Sequence, residues 1–105
     1  MQNKEKRITW NKRALSDFDE ITFYIFQKNG LIQADYVGSG IIKTIKEINP
    51  FPEKHPMLDY DPTIRYTIKW KFKIVFRIKP NKISILRIFY TTQDPAKLII
   101  HEENR

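Results

Sequence analysis

The fold is decided by one stretch, Ile64-Arg-Tyr-Thr-Ile-Lys-Trp-Lys-Phe-Lys-Ile-Val-Phe-Arg-Ile-Lys79, which is followed by Pro80-Asn81 and by Lys82-Ile-Ser-Ile-Leu-Arg-Ile-Phe-Tyr90. Every even position from 64 to 78 is apolar, and most odd positions carry a positive charge. Successive side chains of a β-strand point to opposite faces, so a period of two predicts strands with one apolar and one basic face. Pro80-Asn81 predicts a hairpin turn between the last two strands.

Positive charge is concentrated in the same stretch. No Asp or Glu lies between Asp61 and Asp94, whereas the whole chain has 19 Lys and Arg against 12 Asp and Glu, a net charge of +7. We expect the cations to form one basic sheet face that binds a polyanion or an acidic partner chain. The residues of this predicted surface are Arg65, Lys69, Lys71, Lys73, Arg77, Lys79 and Arg87. The alternative is a solvated face whose lysines suppress edge-to-edge pairing of sheets.

The turn between the first two of these strands, near residues 69–71, contains neither Gly nor Pro. A two-residue loop would pair Lys69 with Phe72 and mix the two faces. A three-residue loop would pair Ile68 with Phe72 and keep the apolar side continuous. We therefore expect a three-residue loop or a bulge at this position.

The second turn raises the question of where Arg87 lies. A two-residue loop sets Arg87 opposite Ile74 on the apolar face, where a buried guanidinium needs a partner. Either a carboxylate such as Asp17 or Glu20 reaches Arg87, or the turn is irregular and Arg87 joins the basic face. The sequence leaves both alternatives open.

Two amphipathic helices are predicted ahead of the sheet. A short strand over 7–10 is followed by Asn11, a residue type that caps helix N-termini. Apolar residues recur at threes and fours over 12–28 and again over 32–48, and Asn29-Gly30 separates the two patterns. Gly38 and Gly40 each cost about 1 kcal/mol relative to Ala inside the second helix. We expect close approach of the first helix to compensate.

The whole chain predicts a two-layer α+β fold with the element order β-α-α-β-β-β. An antiparallel helical hairpin covers one face of a three-stranded antiparallel meander and leaves the other face open. Four prolines between 50 and 62 predict a stiff loop, and Asp94-Pro95 predicts a short C-terminal helix over 96–100. Residues 1–105 are expected to form a single domain.

Composition excludes several classes of site. The chain has no cysteine, and its two histidines, His55 and His101, are far apart in sequence. We therefore expect neither a metal site nor a cofactor. No apolar run is long enough for a signal peptide or a membrane span, so a cytoplasmic protein without a membrane partner is expected.

With this element order, the residues resemble the RelE/ParE superfamily of toxins from type II toxin–antitoxin systems, the plasmid-stabilisation type, over about residues 8–98. The first part of the resemblance consists of Ala14-Leu-Ser-Asp17-Phe-Asp-Glu-Ile21, Tyr24, Gly30, Ala34, Tyr36 and Pro52. These residues are similar to the ParE-type opening. The second part consists of Ile64-Arg65-Tyr66, Phe72-Lys-Ile-Val-Phe-Arg-Ile78 and Ile83-Ser-Ile-Leu-Arg-Ile-Phe-Tyr-Thr-Thr-Gln-Asp-Pro95. It resembles the last three strands of the family and the segment after them.

The resemblance implies one of two activities, since RelE-like members cleave mRNA in the ribosome and ParE-like members inhibit DNA gyrase. For a ribonuclease, the implied catalytic set is Arg65, Lys73, Arg77 and Tyr90. Glu53 or Asp59 would be an outside candidate for the base. RelE-like enzymes carry an arginine where this chain has Lys73, which lacks the bidentate phosphate geometry of arginine. Because no histidine ends the fourth strand either, the set is incomplete.

The resemblance therefore favours a ParE-like toxin that arrests growth by binding a macromolecular target such as DNA gyrase. One alternative is a RelE-like, ribosome-dependent mRNA endonuclease that uses the basic sheet face. Another is a non-catalytic nucleic-acid-binding module, so the sequence leaves open whether the chain is an enzyme. For a toxin, the implied partner is a cognate antitoxin whose C-terminal segment covers apolar sheet or helix surface and masks the cations.

Overall fold

The computed structural model describes residues 5–58 and 61–92 of the chain. Its elements are β1 (Arg7–Trp10), α1 (Lys12–Asn29), α2 (Leu31–Lys46), a 3₁₀ turn (Pro52–Lys54), β2 (Ile64–Lys69), β3 (Phe72–Ile78) and β4 (Lys82–Tyr90). The four strands form one mixed sheet in the order β1-β4-β3-β2, with β1 parallel to β4 and the other pairs antiparallel. The predicted α+β fold and its β-α-α-β-β-β order are confirmed. The C-terminal helix predicted over 96–100 lies outside the described residues.

The helical hairpin begins and turns at the residues that the sequence indicates. The side chain of Asn11 accepts a hydrogen bond of 2.9 Å from the Ala14 N–H and so caps α1. Gly30, at φ 93, ends α1 by donating its N–H to the Phe26 carbonyl at 2.9 Å, and its own carbonyl accepts the first hydrogen bond of α2. One residue in a conformation that favours glycine therefore forms the whole corner.

The main core lies between the hairpin and one face of the sheet, which we call the helix face. Its buried side chains are Ala14, Ile21, Val37, Ile41, Ile45, Ile48, Phe72, Ile74, Phe76, Ile83, Ile85 and Ile88. The opposite face, which we call the open face, carries a smaller cluster of Val75, Leu86 and Phe89 with Leu58, Ile64 and Tyr66 packed against it. Both faces of the sheet therefore bury apolar side chains.

The turn between β2 and β3 differs from the expectation. Lys69 pairs with Phe72, so the loop has two residues, Trp70 and Lys71, and the predicted three-residue loop is wrong. Trp70 takes the left-handed conformation, with φ 53, that a tight hairpin turn requires. The two-residue register is compatible with burial of the apolar residues of β2, because these residues pack on the open-face cluster instead of on the helices.

The two helix glycines serve different contacts. A Cβ at position 38 would lie 3.3 Å from Cζ of Phe18 and 3.4 Å from Cγ2 of Thr22, so the expected close approach of α1 is confirmed for Gly38. At position 40 a Cβ would overlap the ring of Trp70 instead. The expectation is wrong for Gly40, because this glycine accommodates the β2–β3 turn and not α1.

Candidate functional site

Lys73 and Arg77 of β3 lie on the open face. Lys73 places its Nζ 4.3 Å from the ring centroid of Tyr66, in cation–π geometry. Nη1 of Arg77 donates to the Thr63 hydroxyl at 2.8 Å and lies 3.3 Å from a carboxylate oxygen of Asp61. The hydroxyl and N–H of Thr63, and then Arg77, lower the pKa of Asp61. Of Lys73 and Arg77, Arg77 is therefore already paired with a carboxylate.

Arg65 holds the proline-rich loop. Its Nε donates to the Pro62 carbonyl at 2.8 Å, and its Nη1 donates to the carbonyls of Glu53 at 3.0 Å and His55 at 2.8 Å. In the register of the sheet, Arg65 lies opposite Phe76, which belongs to the main core, so Arg65 lies on the helix face. Three backbone acceptors occupy the guanidinium, which is the geometry of a loop anchor.

Of the two candidate bases, only Glu53 lies among the described residues. Glu53 is exposed on the 3₁₀ turn, and Asp59 lies outside the described residues. The ring of His55 packs edge-on against Phe76, with centroids 5.6 Å apart. Burial, followed by the charges of Lys54 and Arg65, lowers the pKa of His55, so this histidine is neutral near pH 7.

Tyr90 lies at the end of β4 on the helix face. It pairs with Phe72 across the sheet, and the two ring centroids are 4.9 Å apart. Burial, followed by the proximity of Tyr24, raises the pKa of Tyr90 and keeps its phenol protonated. Tyr90 therefore lies on the opposite face of the sheet from Lys73 and Arg77.

Arg87 is buried and bound by a carboxylate. Its Nε lies 2.7 Å from Oδ2 of Asp17, and its Nη2 lies 3.2 Å from Oδ1. A bulge in β4 places Arg87 opposite Val75, and only 6% of the residue is exposed. The alternative in which Asp17 reaches Arg87 is confirmed. The inclusion of Arg87 in the basic surface is wrong, because a buried, paired guanidinium cannot contact a polyanion.

The predicted single basic face is also wrong. The two-residue turn reverses the alternation of β2 relative to β3, so Arg65 and Lys69 share the face of Phe72 while Lys73 and Arg77 lie on the open face. Lys71 is in the turn itself, and Lys79 follows the end of β3. A polyanion that lay flat on one sheet face would meet only part of the predicted set.

The sequence did not reveal an exposed apolar surface on the outer side of the hairpin. We call it the hairpin surface, and its large exposed residues are Leu15, Phe23, Phe26, Leu31, Ile32 and Ile42. A groove of about 590 Å³ runs along it and also has Asp19 and Asp35 in its walls. The sequence does contain an indication of this surface, because α1 carries apolar residues outside the stripe of Ala14 and Ile21. Leu15 and Phe26 nevertheless have the spacing of core residues, so their exposure was not evident from the sequence.

Among the helices of the described residues, none is long and apolar enough to cross a membrane. Within residues 5–58 and 61–92, no three His, Asp or Glu side chains come together as metal ligands would. In the described part of the chain, the candidate surfaces for binding a partner are the open face, the hairpin surface and the clefts beside the β2–β3 turn.

Solved toxin–antitoxin structures share this fold. A chromosomal ParDE toxin–antitoxin system from P. aeruginosa matches with a TM-score of 0.70 and 24% identity, over 81% of this chain and 95% of that chain. The RelBE2 toxin–antitoxin complex from Mycobacterium tuberculosis matches with a TM-score of 0.63 and 11% identity, over 85% and 97%. A conserved hypothetical protein from Helicobacter pylori matches with a TM-score of 0.55 and 21% identity, over 84% and 97%.

Sequence comparison gives a family but no individual relative. No curated protein matches the chain. The family model for the ParE toxin of the type II toxin–antitoxin system parDE matches residues 8–95. Since this match spans most of the sequence, the chain belongs to the ParE toxin family of type II toxin–antitoxin systems.

Proposed function

We propose that the chain arrests growth by binding a macromolecular target, such as DNA gyrase, without a chemical step of its own, and that it acts in the cytoplasm. The observation that carries this proposal is the division of the ribonuclease candidates between two faces of the sheet. Lys73 and Arg77 lie on the open face, whereas Arg65 and Tyr90 belong to the helix face. RNA cleavage requires a base, a cation and a proton donor around one phosphate.

The side-chain partners support the same conclusion. Arg65 is occupied by three carbonyls of the loop, and Arg77 is occupied by Asp61 and Thr63. Lys73 lies on the open face above the ring of Tyr66, where an RNA-cleaving relative would have an arginine. Since Arg65 and Arg77 hold neighbouring loop groups, the RelE-like alternative has little support from the residues that the structure describes.

The partner that neutralises the toxin is a cognate antitoxin, and we assign its contact to the hairpin surface. Two of the solved structures that resemble the chain are toxin–antitoxin systems. Monomeric proteins rarely leave so many large apolar side chains exposed side by side, and an amphipathic helix is the usual occupant of an apolar groove between helices. Since Asp19 and Asp35 line the groove, a basic residue at the edge of the bound helix would match it.

We expect the purified chain to inhibit ATP-dependent supercoiling of relaxed plasmid by DNA gyrase and to leave relaxation by topoisomerase I unaffected. A target-binding toxin acts stoichiometrically, so inhibition should approach completion when the folded chain equals or exceeds gyrase in concentration. Gel electrophoresis of the plasmid topoisomers measures the effect, and added antitoxin should reverse it. Continued supercoiling at a tenfold excess of folded chain would exclude gyrase as the target.

A further inference from the structure

A second cleft lies where the corner of the hairpin meets the β2–β3 turn, away from the hairpin surface. We call it the aromatic end cleft. It encloses about 410 Å³, and the aromatic side chains in its walls are Tyr24, Tyr36, Trp70, Phe72 and Tyr90. Asn29 and Gln33 contribute amides to the same walls. Flat rings and amide groups are therefore brought together at one end of the molecule, by residues of α1, α2, the β2–β3 turn, β3 and β4.

Trp70 is held in this cleft by three features that core packing does not explain. It is the only residue other than glycine with a positive φ in the described part of the chain, and a bulky side chain rarely takes this conformation. Gly40 clears the space that the ring occupies. The ring of Tyr36 lies beside it, with centroids 5.4 Å apart. Nevertheless 45% of Trp70 is exposed, so the turn presents a fixed aromatic surface to solvent.

Lys71 is the one charged residue among the described residues that line the aromatic end cleft, whereas Asp17 and Glu20 line the adjoining cleft beside Arg87. Lys71 is exposed and lines both this cleft and the adjoining one beside Arg87. Nζ of Lys69 lies 4.5 Å from the ring centroid of Trp70, and Nζ of Lys28 lies 5.7 Å from that of Tyr24. Of the described residues that line the aromatic end cleft, none is acidic. Anionic groups of a ligand would therefore meet lysines at the rim and no repelling carboxylate inside.

We propose that the aromatic end cleft binds single-stranded nucleic acid. One or two bases stack on Trp70 and Tyr36, and the flanking phosphates contact Lys69 and Lys71. Stacking on aromatic rings combined with backbone contacts to lysine is the chemistry by which proteins hold single strands without reading their sequence. The amides of Asn29 and Gln33 are available to the edges of a stacked base. Neither gyrase inhibition nor antitoxin binding requires this site, so the inference goes beyond the proposed function.

A single strand fits this cleft better than an acidic peptide. A peptide would satisfy the lysines, but its aliphatic side chains need enclosed sockets, and Ile25 and Val37 are the only aliphatic residues among the described ones that line the cleft. A duplex keeps its bases stacked on each other and would reach only the lysines. Unpaired bases are therefore the ligands that can stack on these rings.

Fluorescence anisotropy of the full chain with fluorescein-labelled dT and rU 12-mers tests the proposal. We expect saturable binding to at least one of them that weakens steeply as salt rises. Trp70→Ala and Lys71→Glu should each weaken binding about tenfold or more, while Trp70→Phe, which keeps a ring, should retain most of it. Lys43→Glu, the same change of charge near the other end of α2, should change affinity about twofold or less. Circular dichroism confirms that each variant is folded.

Different outcomes overturn the inference. It fails if neither oligonucleotide binds saturably at low salt, or if Lys43→Glu weakens binding as much as Lys71→Glu does. It also fails if a blunt duplex binds as tightly as the single strands. Equal binding of a labelled glutamate-rich peptide with one tryptophan would assign the cleft to an acidic protein segment instead. A preference for rU over dT, or the reverse, supports the site and identifies the sugar that it accepts.

Discussion

Replacing Asp17 with alanine should lower the free energy of unfolding by about 3–5 kcal/mol, because it leaves a buried arginine without its counter-charge. The carboxylate accepts three hydrogen bonds, from Nε and Nη2 of Arg87 and from the backbone N–H of Ile88 at 2.9 Å. Nη1 of Arg87 is buried and has no hydrogen-bond partner among the residues that the structure describes. Domains of this size are stable by about 5–15 kcal/mol, so this variant should be close to unfolding.

Urea denaturation followed by tryptophan fluorescence measures the loss, and two further variants control it. Asp19→Ala removes an exposed carboxylate from the same helix and should change stability by about 0.5 kcal/mol or less. The double variant Asp17→Leu, Arg87→Met removes both charges and should be more stable than Asp17→Ala, although the buried N–H of Ile88 still loses its acceptor. A loss below about 1 kcal/mol for Asp17→Ala would show that the pair does not hold α1 to β4.

Phe23→Asp and Leu31→Asp should each weaken binding of the cognate antitoxin by about 100-fold, or about 2.7 kcal/mol. The two side chains are 59% and 71% exposed on the hairpin surface, so the substitutions place a charge in the proposed contact without opening the core. Exposed positions of this kind change stability by about 0.5 kcal/mol or less. Isothermal titration calorimetry with the purified antitoxin measures the affinity.

The matched control is Phe51→Asp, the same substitution at an aromatic residue that is 47% exposed but lies after the helices, before the 3₁₀ turn. Its affinity for the antitoxin should be unchanged within about twofold. If the control weakens binding as much as Phe23→Asp does, the antitoxin covers a wider surface. If neither hairpin substitution weakens binding, the antitoxin contacts another face of the toxin.

Much of the fold was predictable because local signals and global packing agree. The Asn11 cap and the Gly30 corner define α1 locally, and the structure places both where the residue types indicate. The Pro80-Asn81 turn also pairs the strands as its length requires, with Ile78 opposite Ile83. The class of fold then follows from the order of elements alone.

The faces of the sheet were not predictable, and one loop residue is the reason. Alternation along β2 and β3 is equally regular in both registers, so it does not reveal which side of β2 meets the helices. The turn depends on Trp70, a residue that propensity would not place at positive φ. The conformation of Trp70 is explained by Gly40, which lies 30 residues earlier in the sequence and leaves the space that the indole ring occupies. The sequence therefore identifies the candidate cations but does not reveal how they are divided between the two faces of the sheet.

Primer extension on transcripts from cells that express the toxin tests most directly whether growth arrest proceeds without RNA cleavage. We expect growth to stop with no new 5′ ends in translated mRNA. Lys73→Ala should arrest growth as fully as the original chain, because the position that RelE-like enzymes fill with an arginine would then have no catalytic role. New 5′ ends within codons that appear with the original chain and disappear with Lys73→Ala would contradict this and establish a ribonuclease.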